Sequence, residues 1–479
     1  MTLTSPVPTR VEAAASAPAP TARATIALAV LGVFVTYIPI TGVSGALSTI
    51  AAATGATTSE LQWVSDAYVI PMAAAVLSAG VFGDIHGRRR LFGLGMLLTV
   101  IGAVVAGLSA TLGGAALPVL WFGQAVSGVG AGVLLPTTLA LITHAVADPR
   151  QRPRYISMWA TGIVVGLAIG PILSGLVLAV ADWGWIFLPA GLLAVVAGIA
   201  AHVALPESRS PEGRHLDWGG QVTASIAIAA LIFGVIEGGA AGWGSAPALL
   251  AFVVGGAALV GFIIRELRAE KPLMDLRMFR IIGFSAGAIS TLAAMFVTVG
   301  EMFLLSIYLG SVQPLSALEI GIRLAFVPGV AALVNPIVPR LMARLKPLGV
   351  LLLGIVVGIV GMLLLLGVSS TTGFIDLVWR LAVFGVSLAL MLTSVSVVAV
   401  HTVPWSQASM ASATSTALRQ FGGALGPAIL GSIYVSALSG TGDPSAALHV
   451  AVWVNIGVLA VALLAVSAAL WGARRSASR

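Results

Sequence analysis

Long apolar runs recur along the whole chain, and their length is the strongest constraint on its fold. A helix needs ~20 apolar residues to cross a bilayer. Runs of that kind occupy roughly 26–53, 61–83, 91–112, 116–147, 155–181 and 185–205, then 218–237 and 246–264, then 282–310, 317–342, 347–368, 374–400, 407–438 and 447–472. Inside lipid only helices and closed barrels satisfy their own backbone, and barrel strands read as short alternating segments instead. The predicted fold is an all-α polytopic membrane protein with fourteen transmembrane helices, arranged as six, two and six. Composition agrees, with 58% hydrophobic and 9% charged residues against about 25% charged in a soluble domain. A soluble enzyme, a nucleic-acid-binding domain and a disordered chain are excluded.

Polar breaks divide the chain. Residues 1–25, rich in Pro, Ala, Ser and Thr, read as a disordered cytoplasmic tail, and the first apolar run is too long for a cleaved signal peptide. Residues 26–205 form an N-terminal six-helix bundle, 206–280 two inserted helices with flanking cytoplasmic loops, 281–472 a C-terminal six-helix bundle, and 473–479 a cytoplasmic tail. The formal charge of +7 reflects topology rather than nucleic acid. With the N-terminus inside, alternate loops gather Arg88–Arg90, Arg150–Arg154, Arg209 and Arg214, Arg265–Arg280, Arg340–Lys346 and Arg474–Arg479 in the cytoplasm. All but three of the 24 Lys and Arg fall there; Arg323, Arg380 and Arg419 lie within or at the outer edge of spans. The segregation requires an even count and puts both termini inside. Two lysines among many arginines, with abundant Ala and Gly, suggest a GC-rich bacterial genome and hence a multi-pass protein of the bacterial inner membrane. There is no Cys, the six His are scattered, and no phosphate-binding Gly-x-x-x-x-Gly-Lys loop occurs, so no metal or cofactor is expected.

Two links invite a functional reading. Gly80-Val81-Phe82-Gly83-Asp84-Ile85-His86-Gly87-Arg88-Arg89-Arg90 joins the second and third spans, and Asn335 to Lys346 joins the tenth and eleventh. They form a weak internal repeat, which in transporters places the site between the repeats. Arginines alone would be an ordinary positive-inside cluster; with Gly80, Gly83, Asp84 and Gly87 ahead of Arg88, the link resembles the signature loop of the major facilitator superfamily. In the fifth span Gly166-Leu167-Ala168-Ile169-Gly170-Pro171-Ile172-Leu173-Ser174-Gly175 resembles the Gly-Pro motif of that superfamily's exporters, with Ser174 where glycine is usual. Plain packing of small residues is the alternative. Asp182-Trp183-Gly184-Trp185, Leu205-Pro206-Glu207-Ser208, Leu216-Asp217-Trp218-Gly219-Gly220, Ile236-Glu237-Gly238-Gly239, Pro272-Leu273-Met274-Asp275 and Leu418-Arg419-Gln420-Phe421-Gly422-Gly423 are similar, in that order, to the fourteen-helix drug:proton antiporter branch.

The resemblance implies a monomeric secondary active exporter of lipophilic, cationic drugs or antibiotics, working by alternating access in exchange for protons. Its partners would be substrate, protons and lipid. A narrow-substrate natural-product exporter or facilitator, with altered or absent proton coupling, is the alternative. Two departures motivate it: Pro39 stands where the branch carries Asp in its first span, and Gln124 where it carries Arg in its fourth. Losing both leaves the position neutral, whereas losing one would strand a buried charge. A membrane enzyme should show clustered His, Asp or Ser at membrane depth, and none is seen.

The remaining acids at membrane depth are then the leads for proton coupling, because a carboxylate there is costly. Asp66, in a Trp-Val-x-Asp-x-Tyr segment like that of quaternary-ammonium exporters, and Glu301 belong to different halves and are expected to face one cavity. Pairing with Arg323, Arg380 or Arg419 is the plainer alternative. Arg380 and Arg419 are expected to gate or pack, and Glu237 to be structural. Tyr37, Trp63, Tyr68, Trp121, Phe122, Gln124, Trp159, Phe296, Tyr308 and Trp379 are candidates to line the cavity, aromatic rings attracting a lipophilic cation. Trp and Tyr near span ends also serve as interfacial anchors.

Overall fold

A computed structural model describes residues 20–146, 148, 151–209, 217–269, 272–313, 315–404 and 407–477. The expected tail at 1–19, Arg150, residues 210–216, Lys271 and the last residues of the C-terminal tail, 478–479, lie outside the described residues. Helices dominate, with no strand among the described residues. In chain order they are α1 (Pro20–Gly42), α2 (Leu47–Thr54), α3 (Thr58–His86), α4 (Arg88–Leu108), α5 (Ala116–Ala145), α6 (Arg152–Leu178), α7 (Leu188–Ala204), α8 (Trp218–Ala241), α9 (Ala246–Arg268), α10 (Ile282–Val312), α11 (Ala317–Val334), α12 (Val338–Leu365), α13 (Phe374–His401), α14 (Ala408–Thr441) and α15 (Pro444–Ala477). Twelve helical segments of the described residues are long and apolar enough to span a membrane, or 13 if α3, bent by 56°, counts as one. One of them, Ala317–Leu365, is 49 residues long and contains Lys346 at φ 62.

The internal repeat is firmer in space than in sequence. Capping boxes open α3 (Thr57 with Glu60) and α11 (Ser316 with Glu319). Thirty residues after each capping residue the backbone turns through positive φ, at Gly87 (φ 108) and at Lys346 (φ 62). The Gly166-x3-Gly170-Pro171-x3-Gly175 stripe of α6 returns in α14 as Gly422-x3-Gly426-Pro427-x3-Gly431. Each stripe does the same work. Gly166 and Gly170 lie on the carbonyls of Phe34 and Ile38 in α1, and Gly422 and Gly426 on those of Leu292 and Phe296 in α10. A Cβ at Gly170 would come within 2.5 Å of one carbonyl oxygen and one at Gly426 within 2.4 Å. Lipid tails match side chains in polarity, so helix pairs in a membrane are held by such close approach.

The third glycine of each stripe meets the other half: Gly175 lies on Leu318 of α11 and Gly431 on Gln62 of α3. Gly321 on Pro171 and Gly310 on Ser48 add to this closure, as does a hydrogen bond from Ser306 Oγ to the Ser44 carbonyl. All these contacts fall at the end where the connecting loops lack Lys and Arg. At the other end, which carries Arg88–Arg90, α1 and α6 frame an open cleft.

The inserted helix α8 rides over the α3–α14 seam. Gln221 Nε2 donates to the Ala74 carbonyl (2.7 Å) and Ser78 donates to Gln221 Oε1 (2.5 Å), while Ser432 of α14 donates to the Val235 carbonyl (3.1 Å). Helix α9 packs against α8, and Arg265 Nε donates to Asp217, the α8 N-cap (2.7 Å).

Gly128 of α5 sits on the backbone of Tyr68, where a Cβ would lie 2.1 Å from the carbonyl oxygen. We expect Gly128→Val to force α3 and α5 apart, costing about 1–3 kcal/mol and lowering the thermal midpoint of the detergent-solubilised protein. Gly256→Ala, at a position facing open space, should leave the midpoint unchanged.

Candidate functional site

The cleft at the basic end has a volume of about 640 Å³ and is lined from the first halves of α1 and α6. Its walls are mostly apolar, with Leu31, Phe34, Met158 and Val165 among them, and Arg23 is the one charged residue lining it among the described residues. Tyr37 lies one turn beyond Phe34 on α1, buried past the end of the cleft lining, and brings the two halves together. Its hydroxyl donates to Gln420 Oε1 of α14 (3.3 Å), and Gln420 Nε2 reaches Met72 Sδ of α3 (2.8 Å). Arg419 also lies beside the Tyr37 hydroxyl. It is 5% exposed, donates through Nη2 to Ser396 Oγ (3.2 Å), and leaves Nε without an acceptor.

Pro39 and Gln124 line one small pocket together with Thr99, Ser127 and Ser174. At about 20 Å³ it has room for a single water. Gln124 Nε2 donates to the Val64 carbonyl (3.1 Å), so the amide also ties α5 to α3. The two departures from the family pattern are thus neighbours in space, in a neutral setting.

The acids are not brought together. Asp66 is wholly buried, and neither carboxyl oxygen has a hydrogen-bond partner. It stands one turn from Gln62, whose Nε2 reaches the Ala428 carbonyl (3.4 Å), and one turn from Val69, which faces Gly423, so it belongs to the seam with α14. Glu301 lies inside the C-terminal set, where its Oε2 accepts from Asn455 Nδ2 of α15 (2.8 Å). Neither lines the cleft. Arg380 pairs with Asp376 (3.1 Å), and Arg323 donates to the Glu319 carbonyl (3.0 Å) over the Phe374 ring. Glu237 is half-buried near the end of α8.

None of the ten expected lining residues lines the cleft. Tyr68 donates to the Thr36 carbonyl (2.6 Å), Trp159 to Thr138 (2.9 Å), Tyr308 bonds Ser445 (2.8 Å), and Phe296 is buried under Gly426, so these rings fill helix interfaces. Trp63 packs on Phe233 of α8, and Trp121 is half-buried. Phe122 is 64% exposed on α5, and Trp379 is 43% exposed and donates to Asp376 at the start of α13 (3.2 Å). The cleft takes Phe34 and Tyr155 instead; Phe34 was findable as the residue one turn before Tyr37 on the same helix face.

The signature link is built as a clamp. Arg88 pairs with Asp84 (2.8 Å), and the backbone N–H of Arg89 donates to Glu207 (3.2 Å). Arg88 N–H donates to the Ser208 carbonyl (3.0 Å). Glu207 presses so close that a Cβ at Gly87 would lie 2.4 Å from its carboxylate. Gly80 faces Pro136 and Gly83 faces Leu91, which lets the turn sit against α5 and α4. Glu207 had stood only as part of a branch motif; its contact with the link was not legible.

Residues 29–427 match the model of the Major Facilitator Superfamily. The chain is 30% identical over 420 residues to the multidrug resistance protein Stp of Mycobacterium tuberculosis, covering 86% of this chain and 76% of that protein. It is 30% identical over 421 residues to the multidrug efflux pump LfrA of Mycolicibacterium smegmatis (86% and 81%). To the tetracenomycin C resistance and export protein of Streptomyces glaucescens it is 29% identical over 385 residues (80% and 70%). Among solved structures, a POT family transporter in complex with 5-aminolevulinic acid shares the fold at TM-score 0.69 and 13% identity, over 93% of this chain and 96% of that one. A bacterial homolog of the lysosomal transporter Spinster, in an inward-facing and unoccupied conformation, does so at TM-score 0.66 and 15% identity (95% and 98%). These relatives are transporters rather than enzymes, and drug and antibiotic efflux proteins stand among them. The chain is a multi-pass membrane protein of the major facilitator superfamily.

Proposed function

We propose that the protein is a secondary active exporter of lipophilic drugs or antibiotics in the bacterial inner membrane, working by alternating access in exchange for protons. The efflux relatives support the export reading, and the state closed at one end and open at the other supports alternating access. Fourteen crossings with both termini in the cytoplasm follow if the bent α3 counts as one span and Ala317–Leu365 is two spans divided at Lys346. At 1.5 Å per residue a helix of that length would run to roughly 70 Å, more than twice the ~30 Å hydrocarbon core. The basic end, with its cleft, is then cytoplasmic.

One observation carries the coupling: Asp66 is wholly buried, without a partner, on the seam that must part when the other end opens. A bare carboxylate would be very costly there, which suits a group that takes up a proton in one access state and gives it up in the other. Glu301 keeps Asn455 in either state, because both belong to one half; it is the lesser candidate. The neutral Pro39–Gln124 pocket favours a second reading, a carrier with altered or absent proton coupling. A cationic substrate was expected from the resemblance and from aromatic rings around a cavity; the expected rings do not line the cleft, so substrate charge has to be argued from the cleft itself.

In proteoliposomes under a pH gradient, Asp66→Asn should lose gradient-driven transport of a lipophilic dye by about tenfold or more, a difference of ~1.4 kcal/mol, with dye binding kept. Glu301→Gln should transport as wild type, whereas Glu301→Ala should lower stability by about 1–3 kcal/mol by leaving Asn455 unsatisfied. Unchanged transport in both Asp66→Asn and Glu301→Gln would sink the proton relay and leave the second reading. The chain has no cysteine, so topology is open to single-cysteine labelling. An impermeant maleimide should label Gly244→Cys and Gly373→Cys in intact cells and spare Arg209→Cys. Protection of Gly373→Cys would make Ala317–Leu365 a single crossing.

A further inference from the structure

Arg419 is a cation without a counter-ion. A guanidinium stays ionised in any protein setting, and burying one unpaired costs several kcal/mol. Among the described residues no carboxylate lies within ion-pair distance of it. The other two arginines at membrane depth have settled differently: Arg380 has Asp376, and Arg323 has the Glu319 carbonyl and the Phe374 ring. Arg419 donates to the Ser396 hydroxyl and lies beside that of Tyr37, and its Nε has no acceptor among the described residues. A site that holds an unneutralised charge in a low dielectric is complementary to a ligand of opposite sign.

The lining of the cleft stops one helical turn short of Tyr37, whose hydroxyl lies beside Arg419. On α1 that lining runs from Arg23 to Phe34, about 16 Å at 1.5 Å per residue. The cleft volume falls within the range of drug-sized sites. Between the two arginines the walls are mostly apolar, and no acidic residue lines the cleft among the described residues. Outside, Arg154 stacks beside Tyr155 at the same mouth. Among the described residues the layout is therefore positive at the mouth and mostly apolar along the walls, with Phe34 and Tyr155 the aromatic rings there and Arg419 beyond its inner end.

We propose that the substrates are lipophilic organic acids: the oxyanion, a carboxylate or acidic phenol, pairs with Arg419 beyond the inner end of the cleft, and the apolar body lies along Phe34, Leu31 and Met158. This deepens the export reading above and rests on it. It also gives Arg419 a role other than gating. Binding neutralises the one uncompensated charge between the halves, which lets α14 move past Tyr37 as a neutral surface. An anion leaving a cell that is negative inside is driven by the membrane potential itself, which accords with the absence of a charge pair at Pro39 and Gln124.

The test uses three probes on one fluorophore: a dansyl-labelled long-chain carboxylic acid, its primary amide and the matching amine, bound to the full-length protein in nanodiscs. Wild type should bind the acid about tenfold or more tightly than the amide, and the amine most weakly. Arg419→Gln should bring the acid to the level of the amide while amide binding stays within about twofold. Arg419→Lys, which keeps the charge and loses the planar fork, should retain a reduced preference for the acid. The wild-type ranking and the lysine variant decide the matter if the glutamine variant does not fold. Equal binding of all three probes, or a preference for the amine, overturns the proposal, as does a fall for all three in Arg419→Gln, which would mark a packing residue. In those cases vesicle transport of a neutral or cationic dye still upholds the exporter reading. If no probe and no lipophilic dye moves in wild-type vesicles, the exporter reading fails and the proposal with it.

Discussion

Helix contact through glycine is what the rest of this molecule depends on. In lipid, burying one apolar side chain against another gains little over burying it against acyl chains, so attraction between helices must come from close packing and from the few polar contacts available. Gly166 and Gly170 set α6 on the carbonyls of α1, Gly422 and Gly426 set α14 on those of α10, and Gly128 sets α5 on α3. A side chain at any of these positions would collide with main-chain atoms, which cannot rotate away. Each half is thereby a stiff body. Contacts between the halves, by contrast, gather at one end and run only as far as Tyr37, Gln420 and Met72 near the middle.

That division of stiffness decides what each buried polar group can do. A group whose partners lie within its own half keeps its surroundings as the halves rock, and Glu301 with Asn455 is of this kind. A group on the seam is transferred between lipid-like packing and water, and Asp66 lies there beside Gln62 and Val69. Exposure alone does not separate them, since both are buried; the identity of the neighbouring helices does. Arg419 also stands between the halves, with Tyr37 of α1 on one side and Ser396 of α13 on the other.

The architecture was legible because lipid imposes a length on every crossing, so apolar runs in the sequence map onto helices within a few residues. The boundary near Lys346 was read from a basic break and corresponds to a backbone turn at φ 62. The repeat was visible only in its basic links, although the two Gly-x3-Gly-Pro-x3-Gly stripes and the two capping boxes lay open in the sequence; each had been compared with a family rather than with its twin. The site was far less legible. Whether an aromatic ring faces a cleft, a neighbouring helix or lipid depends on a rotation of about 100° per residue along the helix, and on bends that composition does not encode. Phe122 and Tyr37 look alike in sequence, yet one is 64% exposed and the other wholly buried. The cleft residues Leu31 and Met158 carry no chemical mark, and only their place on the splayed ends of α1 and α6 brings them together.

Pro39 and Gln124 show how the charge pattern has been redistributed. The resemblance leads one to expect an acid and a base there, and the structure sets the two replacements around a pocket with room for one water. Removing both members of such a pair leaves no stranded ion, and the hydroxyls of Thr99, Ser127 and Ser174 around it keep the pocket polar without charge. Among the described residues of the N-terminal half, Asp66 is a buried ionisable group without a hydrogen-bond partner, and the C-terminal half contributes Arg419 across the seam. The two are of opposite sign, stand on different halves and are not paired with each other. A salt bridge between them would lock the seam. Keeping them apart leaves the acid free to hold a proton and the arginine free to hold a ligand, so the charge on either side of the interface is set by what is bound.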